Sequence, residues 1–325
     1  MSKAIRIHEQ GGPEVLRYED VELPPLRAGE ARVRHKAIGL NFIDTYHRSG
    51  LYALPALPSG LGMEAAGVIE ALAPDVDTLR VGQRVAYAGG PPGAYAELRH
   101  IEARHLVPLP EGIDEESAAA ALLKGMTVEY LIHRTYAVQP GQHVVWHAAA
   151  GGVGLLACQW LRAKGAIVIG TVGSAAKAEL ASSHGCHHPV VLGEHDLREV
   201  VRSLTQGRGV DVVYDSIGRD TFDLSLDCLA KRGMLVGFGN ASGKPEPFDP
   251  LRLAQKGSLY LTRPTLMDYT ASREELLHSA ATLFDAIERD LITVHIAQRW
   301  PLAHAADAHR ALEARQTRGS SLLLP

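Results

Sequence analysis

The sequence predicts an α/β protein in which a doubly wound parallel sheet is inserted into a mostly β domain. Three observations carry this expectation. Ten of the 18 prolines precede residue 126, and between them lie short alternating runs, Ala31 to Ala37, Val68 to Leu72 and Arg84 to Tyr87. That is the texture of an irregular β domain. After Pro140-Gly141 apolar strand runs alternate with helical stretches: Val144 to Ala148, Ile167 to Val172, Val190 to Leu192, Val210 to Ser216 and Met234 to Gly239. Such alternation predicts a parallel sheet, and Ser258 to Thr262 reads as its last strand, with Leu259, Tyr260 and Leu261 on an exposed edge. Beyond Arg263, the residues Leu276, Leu277, Ala280, Leu283, Phe284 and Ile287 recur at helical spacing. A strand-like Thr293 to Gln298, a helix around Ala305 to Ala314 and a short apolar end follow. These pieces are too few for a third core, so the tail is expected to return to the first domain. The expected organisation is 1–126 for the first part of the β domain, 127–263 for the α/β unit and 264–325 for the return.

Composition narrows the function classes. The chain of 325 residues has 33 Lys+Arg against 37 Asp+Glu, which leaves no basic excess to hold a nucleic acid. Cys158, Cys186 and Cys228 are too scattered for a disulfide framework, which suits a reducing compartment. Met1 to Gln10 has no apolar signal-like core, so a cytoplasmic location is expected. Val144 to Leu161 is nearly free of charge and approaches the length of a membrane span, but His147, Gly151, Gly152, Gly154 and Gln159 interrupt it. A buried strand, turn and helix fit that segment better, and no membrane partner is expected.

Val144 to Gly154 carries the strongest motif, a strand feeding the turn Ala149-x-Gly151-x-x-Gly154. This is the dinucleotide fingerprint with alanine for its first glycine: the glycines admit a pyrophosphate to the backbone, and the following helix offers free N–H groups. An NAD site ends its second strand with an acid for the ribose hydroxyls. Here that strand ends in Gly173-Ser174, and Lys177 follows in the first turn of the next helix, where a cation opposes the helix dipole unless a ligand phosphate faces it. His143 with His147, and His184 with Cys186, His187 and His188, lack convincing zinc-ligand spacing, so no metal site is expected. No Gly-x-Ser-x-Gly elbow occurs, and Gly237 to Lys244 fails as a phosphate loop because Pro245 stands where Ser or Thr is needed.

Asn41 to Tyr52, Gly62-Met63-Glu64 with Gly67, Lys124 to Thr127, His147 to Gly154, Tyr214 to Gly218, Gly237 to Asn240 and Gly319 to Ser321 together resemble the zinc-free quinone oxidoreductases. That family belongs to the medium-chain dehydrogenase/reductase superfamily and includes zeta-crystallin. Zinc-dependent members carry Gly-His-Glu where this chain has Met63. The resemblance implies a GroES-like catalytic domain around an inserted Rossmann domain, NADPH as cofactor, a small-molecule quinone as substrate and a homodimer. It places Asn41, Tyr46 and Tyr52 against the nicotinamide and substrate. It assigns the cofactor to Asn41, Tyr46, Thr127, Ala150, Gly151, Gly152, Val153, Gly173, Ser174, Lys177, Ser216, Gly218, Phe238, Gly239, Asn240, Ala241 and Arg263. Apart from the resemblance, Arg318 near the C-terminus reads either as a further cation for the cofactor or as a solvated surface arginine. Asn41 also reads as the cap of a helix starting near Phe42, its side-chain oxygen capping and its amide N–H groups remaining free. Relatives place a tyrosine or histidine beside the adenosine ribose where this chain has Leu192-Gly193. The expected reaction is transfer of hydride, or of single electrons, from NADPH to a quinone. Reduction of an enone or alkenal double bond is the alternative enzyme reading, and a non-catalytic NADPH-binding protein, structural or RNA-associated, the alternative class.

Overall fold

The computed structural model describes all 325 residues. The chain forms two compact units: Met1–Met126 with Thr270–Glu288 and Val294–Pro325, and Thr127–Tyr269 with Arg289–Thr293. In chain order the first strands are β1 (Ser2–Ile7), β2 (Arg17–Val21), β3 (Glu30–Leu40), β4 (Ser59–Gly60), β5 (Glu64–Leu72), β6 (Arg84–Ala88), β7 (Leu98–Glu102) and β8 (Val107–Pro108). Then come β9 (His143–Trp146), β10 (Ile167–Val172), β11 (His188–Val191), β12 (Val210–Asp215), β13 (Leu229–Gly237), β14 (Tyr260–Thr262), β15 (Ile296–Pro301) and β16 (Ser320–Leu324).

The first unit is antiparallel in the main. Its seven-stranded sheet runs β15-β16-β3-β5-β6-β8 with β7 also paired to β3, and a three-stranded sheet runs β2-β1-β4. The long strand β3 sets the register because its neighbours come very close. A Cβ on Gly67 would stand 2.0 Å from the Arg34 carbonyl oxygen, so only glycine fits on β5 at that point. The apolar end of the chain becomes β16 and pairs antiparallel with β3, Leu322 opposite Gly39. The tail strand is Ile296–Pro301 rather than Thr293 to Gln298. Its position follows from parallel pairing with β16, Trp300 opposite Leu323, which local apolarity could not reveal. Ile5, Ile7, Val33, Ile38, Leu61, Ile69 and Tyr87 share one core with the tail residues Leu302, Leu312 and Leu323.

The second unit is a six-stranded parallel sheet in the order β11-β10-β9-β12-β13-β14. The order reverses between β9 and β12, which is the switch point where such sheets open a crevice at their carboxyl ends. Val144, Val145, Val168, Ile169, Val212, Val213, Leu235 and Val236 have no exposed surface, as strands buried on both faces require. Two details differ from the sequence reading. β13 begins at Leu229, ahead of the Met234 run, because the register shifts between Val210 and Val212 and lets Leu229 pair with Val210. Leu259 is buried in the core, so the exposed edge consists of Tyr260 at 57% and Leu261 at 37% exposure. Val144 to Leu161 resolves into β9, a turn and the helix Gly152–Ala163, and no helix is long and apolar enough to cross a membrane.

Candidate functional site

The carboxyl ends of β9, β10, β12, β13 and β14 deliver Ala148 to Val153, Gly173-Ser174, Ser216 to Gly218, Phe238 to Ala241 and Arg263 to one edge of the second unit's sheet. Leaving β9, Ala148 takes a left-handed φ of 55° and its carbonyl accepts the Gly151 N–H at 3.0 Å. Gly151 then caps the helix Gly152–Ala163, whose first N–H groups have no acceptor within the helix and can face an anion. A Cβ on Gly154 would stand 2.4 Å from the Ala148 oxygen, so the helix lies against the turn only because this residue is glycine. Ala150 is buried, and any ligand contact there is through its backbone. A Cβ on Gly173 would meet nothing within 4 Å, which leaves open room beside the end of β10. Ser174 caps the helix Ala175–Ser183, its Oγ accepting from the Lys177 N–H at 3.4 Å, and its own hydroxyl proton can be donated outward. The Arg263 guanidinium donates to the Gly237 carbonyl at 3.0 Å and so bends over the end of β13. Thr127 is buried in the helix Glu115–Tyr130.

Beneath this edge lies a buried polar chain that sequence reasoning did not assign. Asp215 Oδ1 accepts the N–H groups of Ile217 at 2.8 Å and Gly218 at 3.0 Å, and its other oxygen accepts the hydroxyls of Thr221 at 2.8 Å and Ser225 at 2.7 Å. Ser225 Oγ lies 3.0 Å from His147 Nε2, and His147 Nδ1 lies 2.9 Å from Thr171 Oγ1. Burial holds the His147 imidazole below its usual range, although Asp215 opposes that shift. The chain ties β9, β10 and β12 to one carboxylate and shapes the turn Ser216 to Gly218. His147 is thus a structural residue, and the crowded His187 has its own backbone partner, Val168 N–H at 3.1 Å.

The first unit holds Asn41, Tyr46 and Tyr52. Asn41 caps the helix Phe42–Ser49 in a reciprocal capping box with Asp44, whose carboxylate accepts the Asn41 N–H at 2.9 Å. One amide N–H of Asn41 is not free, because Nδ2 donates to Glu64 Oε2 at 2.8 Å. Glu64 is fully buried and also accepts Leu123 N–H at 2.6 Å and Lys124 Nζ at 3.2 Å. The Tyr46 and Tyr52 rings meet edge to face at 5.1 Å, with Phe42 6.4 Å from Tyr46. Asp44 extends the network: Tyr95 Oη donates to it at 2.9 Å and lies 3.0 Å from His309 Nε2, while His309 Nδ1 receives Arg48 and Arg48 pairs with Glu313 at 2.6 Å. The motifs contain Glu64, Lys124, Asp44 and Asp215 without revealing these roles; the partners of Glu64 and Lys124 are distant in sequence, and those of Asp44 and Asp215 are brought to the carboxylate by the turn and by Tyr95. Arg318, in this unit, is exposed just ahead of β16. Leu192 follows β11, its N–H bonded to the Val172 carbonyl at 2.9 Å, and offers no polar side chain there.

A parallel sheet in this order with a glycine turn at its switch point, in a chain with a second antiparallel unit, defines a dinucleotide-dependent medium-chain dehydrogenase/reductase. Residues 27–111 match the alcohol dehydrogenase GroES-like domain and residues 152–280 the zinc-binding dehydrogenase family. The chain is 52% identical to a quinone oxidoreductase of Pseudomonas aeruginosa, with all of both chains covered. It is 44% identical to a 2-haloacrylate reductase of a Burkholderia species, covering 100% of this chain and 99% of that one. The solved structure of Escherichia coli quinone oxidoreductase complexed with NADPH superposes with a TM-score of 0.98 at 48% identity, covering 99% of this chain and 100% of that one. The chain belongs to the quinone oxidoreductase family of the medium-chain dehydrogenases/reductases. A zinc site does not fit its residues. Glu64 is committed to three donors, its neighbour Met63 stands where the resemblance puts the histidine of zinc-dependent members, and no group of three or more His, Cys, Asp or Glu side chains is arranged to hold a metal.

Burial pushes the Asp44 carboxyl from 3.8 up to about 7, against the hydrogen bonds from Asn41 and Tyr95 that favour its charged form. The folded state therefore binds this proton more tightly than the unfolded chain does. The stability it contributes is fully present at low pH and is lost as pH rises from about 4 through about 7. Asp44→Asn keeps an acceptor for Tyr95 and has no charge to bury. Relative to the parent, its unfolding midpoint in urea should rise between pH 4 and pH 7, by up to about 1.4 kcal/mol of stability per pH unit, and level off above that. A parent and variant that keep a constant separation across this range would contradict the shift.

Proposed function

We propose that the chain is an NADPH-dependent quinone reductase that works without a metal, with the cofactor on the sheet edge of the second unit and Asn41, Tyr46 and Tyr52 of the first serving the substrate. The observation that carries the cofactor reading is the end of β10, where Ser174 and Lys177 stand in place of the ribose-binding acid of an NAD site. The N–H groups of Gly152 and Val153 hold the pyrophosphate, assisted by the backbone at Ala150 and Gly151. Gly173 leaves room for the ribose, and Ser174 and Lys177 take the 2′-phosphate. Ser216, Gly218, Phe238, Gly239, Asn240, Ala241, Arg263 and Thr127 line the remainder, and Arg318 adds a cation. When bound, NADPH supplies the hydride. Asn41, with its amide oriented by Glu64, and the phenols of Tyr46 and Tyr52 donate hydrogen bonds to a quinone oxygen as negative charge grows there. Water protonates the product, since a reduced quinone oxygen is a sufficiently stable anion. The 2-haloacrylate reductase relative favours one second reading, reduction of a carbon-carbon double bond beside a carbonyl by the same residues.

A homodimer completes this reading. β14 ends its sheet with Tyr260 and Leu261 exposed, and pairing of this edge with a second copy would remove an open apolar strand. All three cysteines are free and buried, which supports a reducing, cytoplasmic setting.

Lys177→Ala should raise the Michaelis constant for NADPH roughly 10- to 100-fold, equivalent to a charge-assisted contact of ~1.5–3 kcal/mol, and leave that for NADH nearly unchanged. Equal effects on both cofactors would remove the 2′-phosphate assignment. With saturating NADPH, Tyr52→Phe should lower quinone turnover about tenfold, or roughly 1.4 kcal/mol. Tyr46→Phe and Asn41→Ala belong to the same series, and parental turnover in all three would refute the substrate-side assignment. If one of them abolishes turnover while NADPH still binds, a protein group rather than water supplies the proton. Sedimentation equilibrium at micromolar concentration should show a dimer, and a monomer would contradict the edge-pairing proposal.

A further inference from the structure

We propose that the first unit carries a second small-molecule site, a pocket for a small organic carboxylate whose anion pairs with Arg99. A cavity of about 300 Å³ opens beside β1 and β7, with Ala4, Val21, Leu23 and Pro92 among its apolar walls and Arg99 on its lining. Arg99 is a buried residue, 8% exposed. Its Nη1 donates to the Tyr87 hydroxyl at 3.2 Å, its Nη2 donates to the Pro91 carbonyl, and its guanidinium carbon sits 5.1 Å from the centre of the Tyr87 ring. Those bonds use two of the five guanidinium N–H donors, and no carboxylate forms an ion pair with it. A buried cation without a counterion is costly, and an anion delivered into the cavity would offset that cost.

The groups around this cation leave it without an ion-pair partner. Tyr87 passes its hydroxyl on to His35 Nε2 at 3.0 Å, and burial pushes His35 down to about 4, so the neutral imidazole brings no charge of its own. Of the other charged side chains on the lining, Arg6 lies 3.3 Å from Glu19. Glu30 accepts the Arg27 backbone N–H at 2.8 Å and is 4.0 Å from His100. The Arg27 side chain, at the exposed mouth, has no carboxylate partner. Two glycines of the lining pack closely against their neighbours. A Cβ on Gly93 would stand 3.4 Å from Arg99 Nε, and one on Gly60 would stand 3.0 Å from the Gly93 Cα. A planar guanidinium matches the two oxygens of a carboxylate, and the apolar walls suit an organic body better than an inorganic oxyanion.

The test is calorimetric titration of the full-length protein, saturated with NADPH, with hexanoate, benzoate and inorganic phosphate. Hexanoate or benzoate should bind with a dissociation constant of about 1 mM or tighter, and phosphate more weakly. Arg99→Gln should weaken carboxylate binding by about tenfold or more. Because that variant alters a buried position, Arg27→Glu provides the second arm. It reverses the charge at the exposed mouth and should weaken binding severalfold without changing the melting temperature, more so at low salt. No carboxylate binding up to about 10 mM, phosphate binding as tightly as the carboxylates, or Arg27→Glu binding with parental affinity would each overturn the proposal.

Discussion

The constraint on which the second unit depends is the placement of one carboxylate, that of Asp215, where the sheet reverses its strand order. A parallel sheet leaves backbone N–H groups unpaired where its strands end, and a turn lined by ligand-facing atoms cannot bury them against apolar side chains. Asp215 satisfies two of these N–H groups and two hydroxyls at once, and Ser225 and His147 carry the connection to Thr171 on β10. The same strands are then free to spend their last residues on close approach. Gly239, which a Cβ would drive to within 2.4 Å of the Ser216 oxygen, and Gly154 show how little room remains between the loops. Preorganisation of the cofactor edge is thus a property of buried polar satisfaction beneath it as much as of the glycines on its surface.

The first unit solves a different problem with similar means. It buries Asp44, Arg48, Glu64 and Lys124 around a helix whose cap, Asn41, is a substrate-side candidate. Such groups are tolerable only as a connected set, since removing one partner strands another charge in a low-dielectric setting. Glu64 is the hub for Asn41 and Lys124, and Asp44 links the cap through Tyr95 to His309 on the tail helix. The tail therefore supplies hydrogen-bonding partners to the helix that carries the candidate residues, and β16 pairs with β3 just before that helix begins.

Much of this was legible in the sequence because its signals are local. The strand, glycine turn and helix from Val144 to Ala163 declare themselves within a short window, and the missing acid after β10 is read from three residues. The helix beginning at Phe42 followed from Asn41 and the residues after it. Other features depend on partners far apart in the chain. Arg48 meets Glu313 across 265 positions, Asn41 meets Glu64 across 23, and Asp215 reaches Ser225 on the next helix. No periodicity specifies which buried acid will take an amide proton, so the Asn41 amide was read as free. The tail strand was misplaced for the same reason, because pairing with β16 rather than local apolarity decides where it begins. Arg99 gave no signal at all, since an arginine in an alternating strand reads as a solvated residue until its burial is known.

The deciding question is whether cofactor bound at this edge is chemically used. Single-turnover mixing of the NADPH complex with 1,4-benzoquinone, comparing NADPH with its C4-deuterated form, tests this directly. Stoichiometric loss of the reduced cofactor, formation of hydroquinone and a slower transfer with the deuterated form are expected, all in chelator-treated protein. Tight NADPH binding with no oxidation by any quinone would contradict this and leave the chain a binding protein.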